Sequence, residues 1–216
     1  MKTRKIPILL IIAFMMNPIV NAQDLKLPDP DRIGGIPLMK ALDLRSSTRE
    51  YDSLDLSDDQ LSDVLWAAWG INRPDEGKHT APSSNNRQEM SVYAAMKSGL
   101  WLYVPETHSI RKITSQDIRK KTGKQDFVAH AALDLIYVAD LAKAGIPDPV
   151  KAGPEKLNSS FINTGFMAQN VYLCCASLGL ACVVRGWFDA DELAPAMGLP
   201  SHQRIIITQT VGHRAH

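Results

Sequence analysis

The stretch Arg45-Ser46-Ser47-Thr48-Arg49 sets two guanidinium groups and three hydroxyls within five residues. Arginine forks match phosphate oxygens two at a time, and short hydroxyl side chains between them add donors without blocking access. The stretch reads as a phosphate cradle, although a run this polar also suits an ordinary solvated loop. Two later stretches bear on the choice: Ala81-Pro82-Ser83-Ser84-Asn85-Asn86-Arg87-Gln88 and the turn Arg185-Gly186-Trp187. The first crowds amide and hydroxyl side chains whose paired donor and acceptor edges suit a flat heterocycle. Asn and Ser also dominate plain turns for backbone reasons.

Working outward, Ile36 to Leu44 places Leu38 and Leu42 at helical spacing and delivers the chain into the Arg45 stretch. Ser57-Asp58-Asp59-Gln60 is a capping box for a helix whose apolar face is Leu61, Val64, Leu65 and Ala68. Gly70 is expected to end it in a left-handed cap. Trp66 and Trp69 on this helix suit core or subunit-contact packing, with a ligand wall as the alternative. Residues 72–79 read as a loop. Residues 90–96, 100–104 and 109–113 read as successive antiparallel strands, with His108 facing solvent in the second turn. Short helical pieces follow at 117–122 and 127–132. Residues 133–139 form a central strand, and residues 143–157, rich in Pro and Gly, form a mobile segment or lid.

The longest helix is expected at 158–178. It is apolar nearly all round, which suits a core or a dimer interface. Gln169-Asn170 stand out on it as amides in need of partners. A strand at 181–184, a helix capped by Asp189 and a strand at 204–211 complete the chain.

The sequence has 216 residues, 45% of them hydrophobic, enough for one substantial core. Lys2, Arg4 and Lys5 precede an apolar run from Ile6 to Met16, and Val20-Asn21-Ala22 then supplies small residues. Residues 1–22 therefore read as a cleavable signal peptide, giving a secreted or periplasmic protein with no membrane insertion after cleavage. Residues 23–36, broken by prolines and glycines, form an extended arm, and residues 37–216 form the domain. The net charge of +1 includes the three cations of the leader, so the remainder carries −2. The lysines are scattered, and nothing suggests binding to nucleic acid. Cys174, Cys175 and Cys182 read as small buried hydrophobes. No Cys-x-x-Cys pair or histidine cluster suggests a metal.

Taken together, the three stretches resemble the nitroreductase family of flavin enzymes, over residues 37–213. Arg45, Ser46, Ser47 and Arg49 are similar to that family's Arg-Arg-Ser-x-Arg opening. Pro82, Ser83, Asn86 and Gln88 are similar to its Pro-Ser-Ala-Gly-Asn-x-Gln-Pro motif, and Gln169-Asn170 with Leu178-Gly179-Leu180 to its long helix. The resemblance implies an α+β fold, a central and mainly antiparallel sheet surrounded by helices, and an intertwined homodimer holding FMN at its interface. Arg45, Ser46, Ser47 and Arg49 would then bind the phosphate and ribityl chain, with Arg214 as the one late basic candidate. Pro82, Ser83, Ser84, Asn86 and Gln88 would line the ring from the partner subunit. The Arg185-Gly186 turn would offer a backbone amide near the flavin N5. Asn85 departs from a usual glycine, Glu89 from a usual proline, and Arg185 from a frequent glutamate. The last change is expected to make the ring's surroundings more positive. The short ending and the 99–108 hairpin look more like the azoline dehydrogenase branch.

The implied activity is that of an exported FMN-dependent oxidoreductase acting on a small organic substrate by ping-pong hydride transfer, with no catalytic residue named. NAD(P)H as donor is in tension with export. The alternatives are a dehydrogenase or oxidase of a peptide or heterocycle, using oxygen or a quinone, and a non-catalytic flavin-binding domain.

Overall fold

The computed structural model describes residues 24–215; the signal-peptide reading falls outside them. The arm contributes a two-residue strand, β1 (Leu25–Lys26), and leads into α1 (Leu38–Leu44). Next comes α2 (Asp58–Trp69), opened by the complete capping box, in which Ser57 accepts from the Gln60 amide and Gln60 reaches back to Ser57. Gly70 is extended, at φ −67° and ψ 159°, and not left-handed as expected. Its smallness serves a close approach instead, since a Cβ there would lie 2.2 Å from the Trp66 ring. The expected loop after it is a small hairpin of β2 (Ile71–Arg73) and β3 (Lys78–His79) that turns at Gly77.

The strands β4 (Met90–Met96), β5 (Gly99–Val104) and β6 (Ser109–Thr114) form the expected meander. After two short 3₁₀ pieces the chain crosses back as β7 (Leu133–Asp140). Then follow α3 (Asn158–Leu178), β8 (Ala181–Arg185), α4 (Ala190–Met197) and β9 (Gln203–Gly212). Seven strands join in the order β1-β6-β5-β4-β7-β9-β8, and every pairing among them is antiparallel.

The central strand β7 separates two cores. Leu133, Leu135, Tyr137 and Ala139 point to one face, where α2 and α3 pack through Val64, Leu65, Met167 and Val171. Ile136 and Val138 point to the other, beneath Leu193 and Met197 of α4. Side chains alternate along a strand, so Asp134 falls on the α4 side, inside the protein. This is the placement that a nearly continuous apolar run conceals.

Along α3 the buried positions Ser160, Asn163, Thr164, Met167, Ala168, Val171 and Cys175 follow helical spacing. Phe161, Ile162 and Phe166 lie exposed on the opposite side, beside exposed Leu38, Met39 and Leu42 of α1. The expected buried pair Gln169-Asn170 is corrected: Gln169 is exposed, and Asn170 reaches only the Thr80 carbonyl at 3.4 Å. The buried amides are instead Asn163 and Gln209. Gln209 accepts from Tyr137 Oη at 2.5 Å and donates to the Ala168 carbonyl and Cys182 Sγ.

His108 is also corrected. It is half-buried, with Nδ1 2.8 Å from Tyr103 Oη and Nε2 2.7 Å from Ser62 Oγ and 3.0 Å from the Pro28 carbonyl. It turns inward because its own carbonyl accepts from Leu27 of the arm, so the ring pins the arm to α2. Trp69 is buried and stacks on His79 at 4.0 Å, whereas Trp66 lies half-buried under Arg32. Segment 143–157 is held by Arg87, which donates to the Ala144 carbonyl, and by Arg204, which donates to the Val150 carbonyl at 2.8 Å. The cysteines are free; burial pushes the Cys174 thiol up to about 12, and a hydrogen bond to Cys182 with burial holds Cys175 protonated. No helix among the described residues is long and apolar enough to cross a membrane.

Candidate functional site

The Arg45 stretch begins where α1 ends and is pinned on both sides. The Thr48 amide donates to the Cys182 carbonyl of β8 at 2.9 Å, and Tyr51 Oη donates to the Thr48 carbonyl at 2.7 Å. A bridge between Tyr51 and Arg214 lays the chain's last residues beside it, with Arg214 Nη2 3.3 Å from Ser46 Oγ. Tyr172 of α3 forms the floor: its hydroxyl lies 2.9 Å from Ser47 Oγ and accepts from the Val184 amide, and its ring lies 5.3 Å from the Arg45 guanidinium carbon. Arg49 is exposed at the rim. Among the described residues no carboxylate lies within ion-pair distance of Arg45, Arg49 or Arg214. The Arg45 and Arg214 guanidinium groups and the Ser46 and Ser47 hydroxyls thus share one edge without an ion-paired carboxylate among the described residues, a donor set that suits a phosphate. Tyr172 was not singled out in the sequence, because an aromatic residue in an apolar helix carries no separate signal.

Beside this edge α3, β8 and β9 enclose a groove of about 260 Å³, lined by Phe161, Gly165, Ala168, Tyr172, Val184 and Ile207 among others. Its walls are mostly apolar, with Thr164 and Gln169 as the polar exceptions.

The Ser83–Gln88 stretch is a tight loop in which Asn85, Asn86 and Gln88 have φ of 54°, 53° and 50°. Asn85 thus takes the left-handed conformation that the resembling motif assigns to glycine, which Asn tolerates better than most residues. The Gln88 amide donates to Ser83 Oγ at 3.0 Å, and Gln88 Nε2 donates to the Gly77 carbonyl. The Ser84 amide donates to Asn163 Oδ1 at 3.2 Å. Pro82 and Asn86 face outward.

Within one chain these two stretches do not meet. One is anchored at Tyr172 and the other at Asn163, nine residues apart on α3, or roughly 13 Å along the axis at about 1.5 Å per residue.

At the third stretch Gly186 and Trp187 are exposed residues, but the Arg185 side chain turns away into the core. Alternation along β8 sends Val184 toward the groove and Arg185 toward the α4 side. There Arg185 Nη2 pairs with Asp134 Oδ1 at 2.7 Å, Nη1 donates to the Thr122 carbonyl, and Thr210 Oγ1 donates to the same Asp134 oxygen at 2.6 Å. The expected positive field at the ring is therefore corrected: a buried carboxylate neutralises the charge. Burial pushes the Asp134 carboxyl up to about 6, against the pull of Arg185 and the threonine hydroxyls. The same burial lowers Arg185. Asp134 is a residue that sequence reasoning missed.

The profile of the Nitroreductase family matches residues 42–213, which contain all three stretches. The chain belongs to the nitroreductase family. By class it is an FMN-dependent oxidoreductase. A crystal structure of a nitroreductase from Ralstonia eutropha JMP134 is 42% identical and superposes with a TM-score of 0.82, covering 89% of this chain and 90% of the other. The Methanocaldococcus jannaschii protein MJ1384, also named as a nitroreductase, is 29% identical over 197 residues, 87% of this chain and 96% of its own. A Desulfovibrio desulfuricans nitroreductase solved in complex with FMN shares the fold at 20% identity, with a TM-score of 0.59 and coverage of 85% and 89%.

Proposed function

We propose that this protein is an exported, homodimeric flavoenzyme that binds FMN and oxidises or reduces a small organic molecule. The observation that carries the reading is the edge formed by Arg45, Arg214, Ser46 and Ser47, with exposed Arg49 next along the chain, cationic and without an ion-paired carboxylate among the described residues. The residues fit the group: the guanidinium groups and hydroxyls would hold its phosphate, and the apolar groove over Tyr172 would take part of its ring. When bound, FMN supplies the two-electron chemistry.

The chain's own residues bind and orient. Ser47 and Arg45 are held ready by Tyr172, so little side-chain freedom is lost on binding. Exposed Gly186 offers its amide beside the groove, and the Arg185 pair with Asp134 holds that turn rigid from below. The Ser83–Gln88 stretch joins the site from a second copy, because the two stretches lie apart on one chain. Leu38, Met39, Leu42, Phe161, Ile162 and Phe166 form the apolar surface that the second copy would cover. Export sets the electron donor: outside the cytoplasm a reduced small organic molecule or a quinol replaces NAD(P)H.

The test is a fluorescence titration of the purified protein with FMN, together with the Arg45→Ala and Arg49→Ala variants. The wild type binds FMN, and each variant binds it about 10-fold or more weakly, the loss expected for a charged hydrogen bond. An unreactive wild type, or variants that bind equally well, would refute the reading.

A further inference from the structure

The Ser83–Gln88 loop holds three non-glycine residues at positive φ, a backbone that persists only where its surroundings enforce it. The enforcing contact leads to Glu89, which stands where the resembling motif has proline. Glu89 is 2% exposed, and its carbonyl is tied to β7 by the Asp140 amide at 2.9 Å. Its Oε1 accepts from Asn163 Nδ2 at 2.7 Å and from Ser160 Oγ at 3.3 Å.

Asn163 is itself 1% exposed. An amide side chain has a donor end and an acceptor end, and a carboxylate beside it can face only the donor. Glu89 therefore dictates which way Asn163 points. The carbonyl end is left for the Ser84 amide at 3.2 Å and the Ser84 hydroxyl at 3.4 Å. Ser84 immediately precedes Asn85 and Asn86, the first two left-handed residues. An apolar residue at 89 would strand a buried NH₂ group, and the amide would lose the reason for its orientation.

We propose that Glu89 is a positioning residue for the cofactor-facing loop, acting through Asn163 to hold the Ser84 amide and with it the left-handed turn at Asn85-Asn86. The inference rests on the reading that this loop lines the ring, but the loop's order can be measured without any cofactor. Glu89 Oε2 has no partner among the described residues, so one oxygen does the orienting. Gln keeps that acceptor, whereas Leu removes it.

The experiment measures hydrogen exchange of the 83–88 loop and FMN affinity in the wild type, Glu89→Gln, Glu89→Leu, Asn163→Leu and the double Leu variant, each checked for folding by its thermal transition. Exchange at the Ser84 amide is expected to speed up about 10-fold or more in both single Leu variants. FMN should bind them about 10-fold more weakly, with an altered visible circular dichroism of the bound flavin. Glu89→Gln should stay within about 3-fold of the wild type. The double variant should be no worse than either single one, because both act on one chain of contacts. If Glu89→Leu does not fold, Asn163→Ser, too short to reach both neighbours, takes its place with the same expectations. Unchanged Ser84 exchange in the Leu variants, or strictly additive losses in the double, overturns the proposal. A wild type that does not bind FMN refutes the cofactor reading alone, since the exchange result still decides the role of Glu89.

Discussion

Replacing Asp134 with alanine removes the one carboxylate that, among the described residues, pairs with the buried Arg185 guanidinium. Arg185 would keep the Thr122 contacts but lose the 2.7 Å ion pair, and its Nε has no partner among the described residues. Breaking one side of a buried pair costs about 3–5 kcal/mol, because the remaining charge stays desolvated. For a domain of this size about 1 kcal/mol moves Tm by roughly 2–4 °C, so Asp134→Ala is expected to lower Tm by about 6–20 °C at neutral pH. The double replacement Asp134→Leu with Arg185→Met removes both charges and should recover most of the loss.

The pH dependence has a definite sign. The folded Asp134 carboxyl titrates near 6 against an ordinary 3.8, so the folded state binds its proton more tightly than the unfolded state does. The group's contribution therefore falls as pH rises from about 4 to about 6, by about 3 kcal/mol at about 1.4 kcal/mol per pH unit, and stays flat above that. Differential scanning calorimetry across this window should show the wild type losing stability relative to Asp134→Asn. A drop below about 1 kcal/mol for Asp134→Ala, or a double variant as unstable as the two single losses combined, would refute the buried-pair argument.

Other outcomes follow from single contacts. Ser57→Ala, which removes the cap of α2, should cost about 0.5–2 kcal/mol in urea denaturation. At the left-handed position 85, Asn85→Val should cost about 1–2 kcal/mol, whereas Asn85→Gly should be neutral or stabilising, as read from thermal melts. Phe166→Glu, which puts a charge on the exposed apolar face of α3, should shift sedimentation to the monomer and weaken FMN binding; an unchanged dimer would show that the interface lies elsewhere.

Much of the architecture was legible because it rests on neighbours in sequence. The capping box at Ser57 and the Asp189 cap of α4 depend on residues within a turn of one another. The β4–β6 meander and β7 showed through runs of strand-forming residues between turn signals. The Arg45 and Ser83 stretches were likewise visible as composition, since phosphate and amide chemistry needs those side chains wherever they sit.

What stayed hidden depends on which face meets which element. Helical spacing did not reveal that Gln169 points outward while Asn163, six residues earlier, is buried against Glu89. His108 sits in its turn as expected, but its ring faces inward because the arm lies beside it. Most of the elements and the chemistry available follow from the residues alone, because backbone propensities and caps act over a few residues, whereas the short strands β1, β2 and β3 do not. Folding alone brings Arg185 to Asp134 across 51 positions, returns Arg214 to Ser46, and lays Ser47 and Arg45 over Tyr172. Such partners are chosen by strand order and alternation, and neither can be read from a residue's own neighbours.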